Sequence, residues 1–455
     1  MFAHRATIGA ANYRGRFFVN RSVYGDGSTG YFSKTFSGAG NQKKFTVSLW
    51  VKLAKPGTLQ RLFEAYAAAS NFFYLILNAD NTLELAHYSA AYDFRYITTQ
   101  LERDPSGWAH ILVAVDTDAA SGSRVKIYWN GSQITAFSTE SEPSLSFTTD
   151  WAAASEHGLL GRPPSVAGDY FYGYAAEIVH VNAQQLTPSS FGFADAVTGS
   201  WHPKAYTGTY GTNGFYLNFA NSPALGIDVS GNGNNWTVNG TVTQTTDSPT
   251  DSATTNVGNY CTLNPLDFYT TPTLTQGNLH SGASGRVRGT VSFDATDASG
   301  IYFEMQYSSM AANSGFGILG TFKSLVAGFD FDADLYEIQW WGGGNTLQTY
   351  HTSAISLSTV CTTSDILQMA VKAGNVWIGK NNTWFGSGNP STGANPYWTG
   401  LTGNFSPQAL HGNVKLNFGQ TAFTYTPPTG FKRLCTANLP APTIKDASSH
   451  VTAGL

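Results

Sequence analysis

Charge is what this 455-residue sequence has least of. Asp, Glu, Lys and Arg make up 12% of it, about half the ~25% of an average soluble chain, and the net charge is −4. Without a basic excess there is no electrostatic reason to expect nucleic acid as a partner. Cysteine is scarce as well. Cys261, Cys361 and Cys435 lie far apart, an odd count with no CxxC or Cys/His spacing, which argues for buried thiols against a disulfide framework or a zinc site. Long apolar runs are also missing. The leading segment MFAHRATIGAANYRGRFFVNRSVYGDG has apolar runs of two or three only, too short for a signal-peptide core. The uncharged stretch from Asn381 is too polar and too broken by Gly and Pro to cross a bilayer. These gaps lead us to expect a soluble chain folded in a reducing cytoplasm, without membrane insertion.

Aromatics stand in place of charge, at 14% of the chain, beside 48 glycines, a mixture that suits half-buried strands. A surface so poor in charge is polar through Ser, Thr, Asn and Gly, or is covered by other subunits. Period-two alternation dominates. In KKFTVSLWVKL, Phe45, Val47, Leu49 and Val51 share one face, and Thr46, Ser48 and Trp50 the other. Ile111, Val113 and Val115 align in WAHILVAVDTD. Val125, Ile127 and Trp129 align before Asn130-Gly131, a hairpin signal because both residues tolerate positive φ. Tyr174, Ala176, Ile178 and His180 continue the alternation in YGYAAEIVHVN. NAQQLTPSSFGFADA has room for a helical turn or two. Composition then shifts to Asn, Ser, Thr and Gly before alternation returns in SGIYFEMQYSS, DLYEIQWWGG and DILQMAVKAGNVWIGKNN, where Leu367, Met369 and Val371 face Val376 and Ile378 across an Ala-Gly-Asn turn. The expectation is an all-β chain: an N-terminal arm over 1–28, two antiparallel jelly-roll β-sandwiches in tandem over 29–245 and 246–436, and a tail over 437–455.

Catalytic signatures are sparse. A sandwich glycosidase needs two carboxylates across a sugar bond. The nearest match, Glu102-Arg103-Asp104, falls in a turn and lacks a third acid. GFGILG (Gly315 to Gly320) fits the letter of a dinucleotide fingerprint but no helix follows it, so it reads as small residues in a packed strand. The loop from Asp228 to Gly240 offers oxygen ligands without the acidic density of a calcium hand, and an Asx-turn network suits it better. Asp330, Asp332 and Asp334 would line one solvated strand face. The ten histidines are scattered, with no H-E-x-x-H, G-x-S-x-G or P-loop. No catalytic residue, metal or cofactor is therefore expected. The remaining signal is aromatic: Trp340 and Trp341 before a glycine run, and Trp384, Tyr397 and Trp398 in NNTWFGSGNPSTGANPYWTG. Such rings stack on sugar faces, or else plug the open ends of a sandwich.

Residues from about 30 to 240 resemble the laminin-G-like, concanavalin A-like jelly rolls, through FTVSLWVKL, WAHILVAVDTDAASGSRVKIYWNGSQI and LLGRPPSVAGDYFYGYAAEIVHVN. The second half resembles a SPRY sandwich, through GIYFEMQY, the long segment from DILQMAVKAGNVWIGKNN to PYWTGL, and VKLNFGQTAFTYTPPTGF. DVSGNGNNWT, DSPTD and GNYCTLNPLD, taken with YTPPTGFKRLCTANLPAPTIKD, are similar to virion proteins of tailed bacteriophages, many from aquatic hosts. That resemblance implies a non-enzymatic structural or host-contacting part of the particle, such as a tail fibre, appendage or head-decorating protein. Its implied partners are other virion proteins, further copies of itself and host surface polysaccharide. Arg5, Arg14, Arg16 and Arg21 in the leading arm are candidates for anchoring it to an acidic virion surface.

Overall fold

The computed structural model describes residues 17–440 other than 197, 253, 283–284, 326–331 and 343. The expected all-β class is what it shows: strands in several antiparallel sheets, with four short 3-10 turns as the only helical pieces among the described residues. The chain forms two compact units that part between Thr255 and Asn256.

The first unit is built on two eight-stranded sheets and has a two-stranded one, Gly192–Ala194 with Trp201–Pro203. One runs Ser132–Gln133, Val125–Trp129, Ala109–Asp116, Lys44–Leu53, Tyr172–Asn182, Ser22–Asp26, Val242–Thr245, with Phe215–Leu217 also on Tyr172–Asn182. The other runs Phe137–Ser141, Tyr92–Leu101, Thr82–Ser89, Asn71–Leu77, Gln60–Ala68, Glu156–Leu159, Tyr31–Thr35, Thr237–Asn239. Alternation placed the core correctly in most of it. Phe45, Val47, Leu49, Val51, Ile111, Val113, Val115, Val125 and Ile127 all enter one cluster, around the fully buried Trp151. Asn130 and Gly131 both take positive φ, +48° and +80°, and close the expected hairpin.

Three features depart from the sequence reading. Residues 22–26 are not arm: Ser22–Asp26 is an interior strand between Tyr172–Asn182 and Val242–Thr245, and Val23 is fully buried. Residues 246–255 stay with the first unit, because Asp247 is drawn to Lys52 and Thr250 bonds Val19. Tyr174, Ala176, Ile178 and His180 do not share a face. A β-bulge between Ala176 and Val179, with Glu177 at φ +50°, shifts the register by one. Ala175 and Ile178 therefore point into the core, while Ala176 packs with Trp50 and Val19 on the opposite face.

The second unit pairs an eight-stranded sheet built on Asn404–Leu410, Gly315–Gly320 and Leu335–Trp341 with a nine-stranded one built on Gly300–Tyr307, Ile366–Lys372 and Asn375–Lys380. Val371 lies opposite Val376 and Met369 opposite Ile378, across a turn in which Ala373 and Gly374 have positive φ. GFGILG is the buried strand Gly315–Gly320. Its glycines have a steric reason: a Cβ on Gly317 would stand 2.1 Å from the Tyr336 carbonyl oxygen. Gly317→Ala is expected to destabilise the second unit by about 1–3 kcal/mol, the usual scale of overpacking, read as a lower urea midpoint. An unchanged midpoint would mean that the two strands separate at no cost. Cys261, Cys361 and Cys435 are buried thiols, and burial pushes Cys361 up to about 12.

Candidate functional site

The five candidate rings do not converge. Trp340 and Trp341 are neighbours in one strand, so the pleat sends them to opposite faces: Trp340 packs on the second core while Trp341 is exposed. Trp384 lies with Tyr302, Ala370, Trp377 and Phe431 in a separate cluster. Only Tyr397 and Trp398 meet, with ring centroids 4.9 Å apart. They are fastened inward: Trp398 lies edge-on to Tyr336 at 5.5 Å, and the Tyr397 hydroxyl is 3.2 Å from that of Thr349. The segment carrying them is laced to the hairpin it leaves, by the Trp377 Nε1–H donating to the Ala394 carbonyl at 2.9 Å and by Trp398–Thr399 pairing with Asn375–Lys380. Arg5, Arg14, Arg16 and Asp330 lie outside the described residues. Arg21 donates from Nη1 to the neighbouring Asn20 carbonyl.

The acidic motifs are structural. Asp332 and Asp334 do not line a strand; they sit in the turn before Leu335–Trp341 and hold the Lys323 ammonium at 3.1 and 3.2 Å. The Asp228 carboxylate accepts hydrogen bonds from the backbone N–H groups of Tyr216, Ser230 and Asn234 and from the Ser230 hydroxyl. These donors occupy the oxygens a cation would need, and the loop is an Asx-turn network. Among the described residues no group of three or more His, Cys, Asp or Glu is placed to hold a metal ion. Burial pushes the Glu102 carboxyl up to about 7, with Gln100 as its hydrogen-bond donor.

The structure instead draws attention to Glu177, at the bulge. It lines a small, partly open pocket on the outer face of the first sheet, with Ser48 and Val179 from adjacent strands, Phe17 and Trp50 from one packed cluster, and Tyr206, Tyr210 and Tyr216 from another. Its free space has room for about one water. Sequence builds the pocket in three steps. The bulge turns Glu177 away from the core; residues 183–210 then return over the sheet, with Phe191 stacked on Tyr206 at 5.1 Å and Tyr206 edge-on to Tyr210 at 5.1 Å. Phe215–Leu217 pairs with Tyr172–Asn182 and delivers Tyr216, whose hydroxyl donates to Glu177 Oε2. Glu177 accepts no other hydrogen bond among the described residues. Burial pushes its carboxyl up to about 7 against the pull of the Tyr216 hydroxyl, and burial and the facing carboxylate raise the Tyr216 phenol well above its ordinary value. Lys204 also lines the pocket, its ammonium donating to the Ser189 carbonyl at 2.9 Å. Glu177 is the one acidic residue of Tyr172–Asn182, whereas the sequence signature of a sandwich glycosidase is a pair of carboxylates.

Beneath the pocket the sheet's outer face carries a second polar relay. His110 Nε2–H donates to Ser48 Oγ at 2.8 Å, and the Trp201 indole donates to His110 Nδ1 at 3.1 Å. The His110 ring is stacked on Trp50 at 5.1 Å. Burial drives the His110 imidazole down to about 3, so it stays neutral and holds Trp50 in place without titrating near neutrality.

Comparison with known proteins places this face in context. Residues 26–190 match the Laminin_G_3 family model, described as the concanavalin A-like lectin/glucanases superfamily. The matched stretch lies within the first unit. No curated protein sequence matches the chain. Among solved structures it is similar to a putative carbohydrate-binding protein from Bacteroides ovatus, at 14% identity over 50% of this chain and 60% of that one, TM-score 0.34. It is also similar to the SPRY domain of human HERC1, at 11% identity over 35% and 99%, TM-score 0.27. Mouse laminin alpha1 domains LG4-5 are similar over 94% and 96% of the two chains, at 9% identity and TM-score 0.32. Likeness of this degree concerns the β-sandwich fold alone.

Proposed function

We propose that this chain is a non-enzymatic, glycan-binding β-sandwich protein whose first unit takes its ligand at the Glu177 pocket. The observation behind this reading is the make-up of that pocket: aromatic rings around one buried carboxyl, with no second carboxyl among its lining residues. Rings with a single fixed acceptor suit the apolar face and the hydroxyls of a sugar. Hydrolysis of a glycosidic bond would need a partner acid across the bond, about 5–9.5 Å away. On a glycan array of bacterial surface polysaccharides the full chain is expected to bind at least one class, and Tyr210→Ala, which removes a half-buried wall ring, to weaken that binding about tenfold. A silent array would leave a purely architectural role.

We further propose that the protein works as part of a tailed-bacteriophage particle, assembled with other virion proteins and with copies of itself and meeting host polysaccharide there. This reading is supported by the sequence resemblance, and a composition with only 12% charged residues is compatible with a surface covered by other subunits. In it, Arg5, Arg14, Arg16 and Arg21 anchor the chain, and the exposed Trp341 is a second sugar-stacking position. Antibody labelling of purified particles checks it: signal on the virion is expected, and its absence would reject the assignment.

A further inference from the structure

We propose that the glycan bound at Glu177 carries a primary amine, an amino-sugar residue whose ammonium group seats against the Glu177 carboxylate while its ring rests on Tyr206 and Tyr210 at the mouth. This rests on the glycan-binding reading above and specifies the ligand class.

Size, charge and walls all lead to it. The pocket as a whole has free room for about one water-sized group, so a whole sugar ring does not enter, whereas an –NH3+ tip does. Glu177 gives one oxygen to the Tyr216 hydroxyl and keeps the other for a donor. A neutral hydroxyl would fill that place but bring the buried carboxyl no countercharge. An ammonium both donates and neutralises, and charge-assisted bonds of this kind are roughly twice as strong as neutral ones. Trp50, Phe17 and the three tyrosines also line the space, and aromatic rings attract a cation over their faces. The pocket's own cation does not fill this role, since the Lys204 ammonium is held by the Ser189 carbonyl. The backbone agrees: a glutamate held at φ +50° in a bulge is a strained way to present a side chain, and the bulge is what takes this carboxyl out of the core.

Titration calorimetry of the full chain with the glucosamine tetrasaccharide and with its fully N-acetylated counterpart tests the inference. The expected result is at least about tenfold tighter binding of the free-amine oligomer, the scale of one charge-assisted bond. Glu177→Gln is expected to erase that preference, and Tyr216→Phe, which leaves the charge in place, to keep it. Equal affinity for the two oligomers, or a preference that survives Glu177→Gln, would overturn it. If neither oligomer binds while the array shows other glycans binding at the pocket, the amine inference fails and the glycan reading stands. If the array is silent as well, both fail.

Discussion

Acidification is expected to unfold the first unit before the second, with the loss steepening below about pH 4.5. The cause is three buried imidazoles. Burial lowers His110 and His180 to about 3 and His157 to about 4. Each sits in a hydrogen-bond pattern that a second proton breaks. His180 Nδ1 accepts the Trp151 indole N–H at 3.1 Å, His157 Nε2 accepts the Ala152 N–H at 3.1 Å, and His110 Nδ1 accepts Trp201. A histidine whose folded pKa lies below its unfolded value of about 6.5 contributes stability that is full above that value and drains as pH falls through the folded pKa. Glu102 and Glu177, both raised to about 7, act in the opposite sense. Their protonation favours the fold, a gain made between pH 7 and the ordinary carboxyl value of about 4.3. The two glutamates thus offset much of the histidine loss down to about pH 4.5, and below it the histidines act unopposed. At ~1.4 kcal/mol per proton per pH unit, the loss by pH 3 is comparable with the ~5–15 kcal/mol that holds a typical domain together. In the second unit the shifted histidines, His280 and His411, are only half-buried. Hydrogen-exchange mass spectrometry, corrected for intrinsic rate, should show Ala109–Asp116 and Tyr172–Asn182 opening at pH 3.5 while Ile366–Lys372 stays protected. Simultaneous opening of the two units, or full protection of both, would contradict this.

Asp247→Ala is expected to cost the first unit about 3–5 kcal/mol, the scale for breaking a buried ion pair from one side. Lys52 Nζ and Asp247 Oδ2 are 2.9 Å apart with side chains 1% and 0% exposed. The other carboxylate oxygen takes the Trp108 indole N–H at 2.8 Å, and the Tyr174 ring lies 5.4 Å from the ammonium. The Asp247 carbonyl also accepts the Ser22 hydroxyl, so this one residue ties the end of the first unit to its opening strand. The alanine variant removes the carboxylate that lies 2.9 Å from the buried Lys52 ammonium. Combining it with Lys52→Met should return much of the loss, because an apolar pair of similar volume often does as well as a buried ion pair. A denaturant-based double-mutant cycle measures both effects. A single-variant loss below about 1 kcal/mol would show the site to be hydrated rather than sealed.

Much of the fold could be read from alternation, because a strand with one face in a core has to repeat every second residue. Phe45 to Val51, and Leu367 to Val371 opposite Val376 and Ile378, are where the pattern put them. Reading failed where one residue breaks the period. The bulge at Glu177 reverses the faces of the residues that follow it, Ile178 and His180, and nothing in YGYAAEIVHVN marks it, since both faces of that strand are buried. The extra length of the first unit was hidden in the same way: residues 246–255 read as the start of the second sandwich because they are held by Asp247, Ser248 and Thr250 hydrogen bonds instead of apolar burial. As for the site, neighbouring tryptophans looked like a pair and the pleat parted them, while the pocket was assembled from a bulge, a returning loop and a late strand that no single stretch of sequence joins.

Reducing-end release from a polysaccharide that the chain demonstrably binds tests the central reading most directly. With the wild-type protein in excess and an overnight incubation, the expected result is saturable binding with no new reducing ends. Release of reducing ends that disappears in Glu177→Gln would contradict it, and would make Glu177 the acid of a glycosidase whose second carboxylate lies elsewhere.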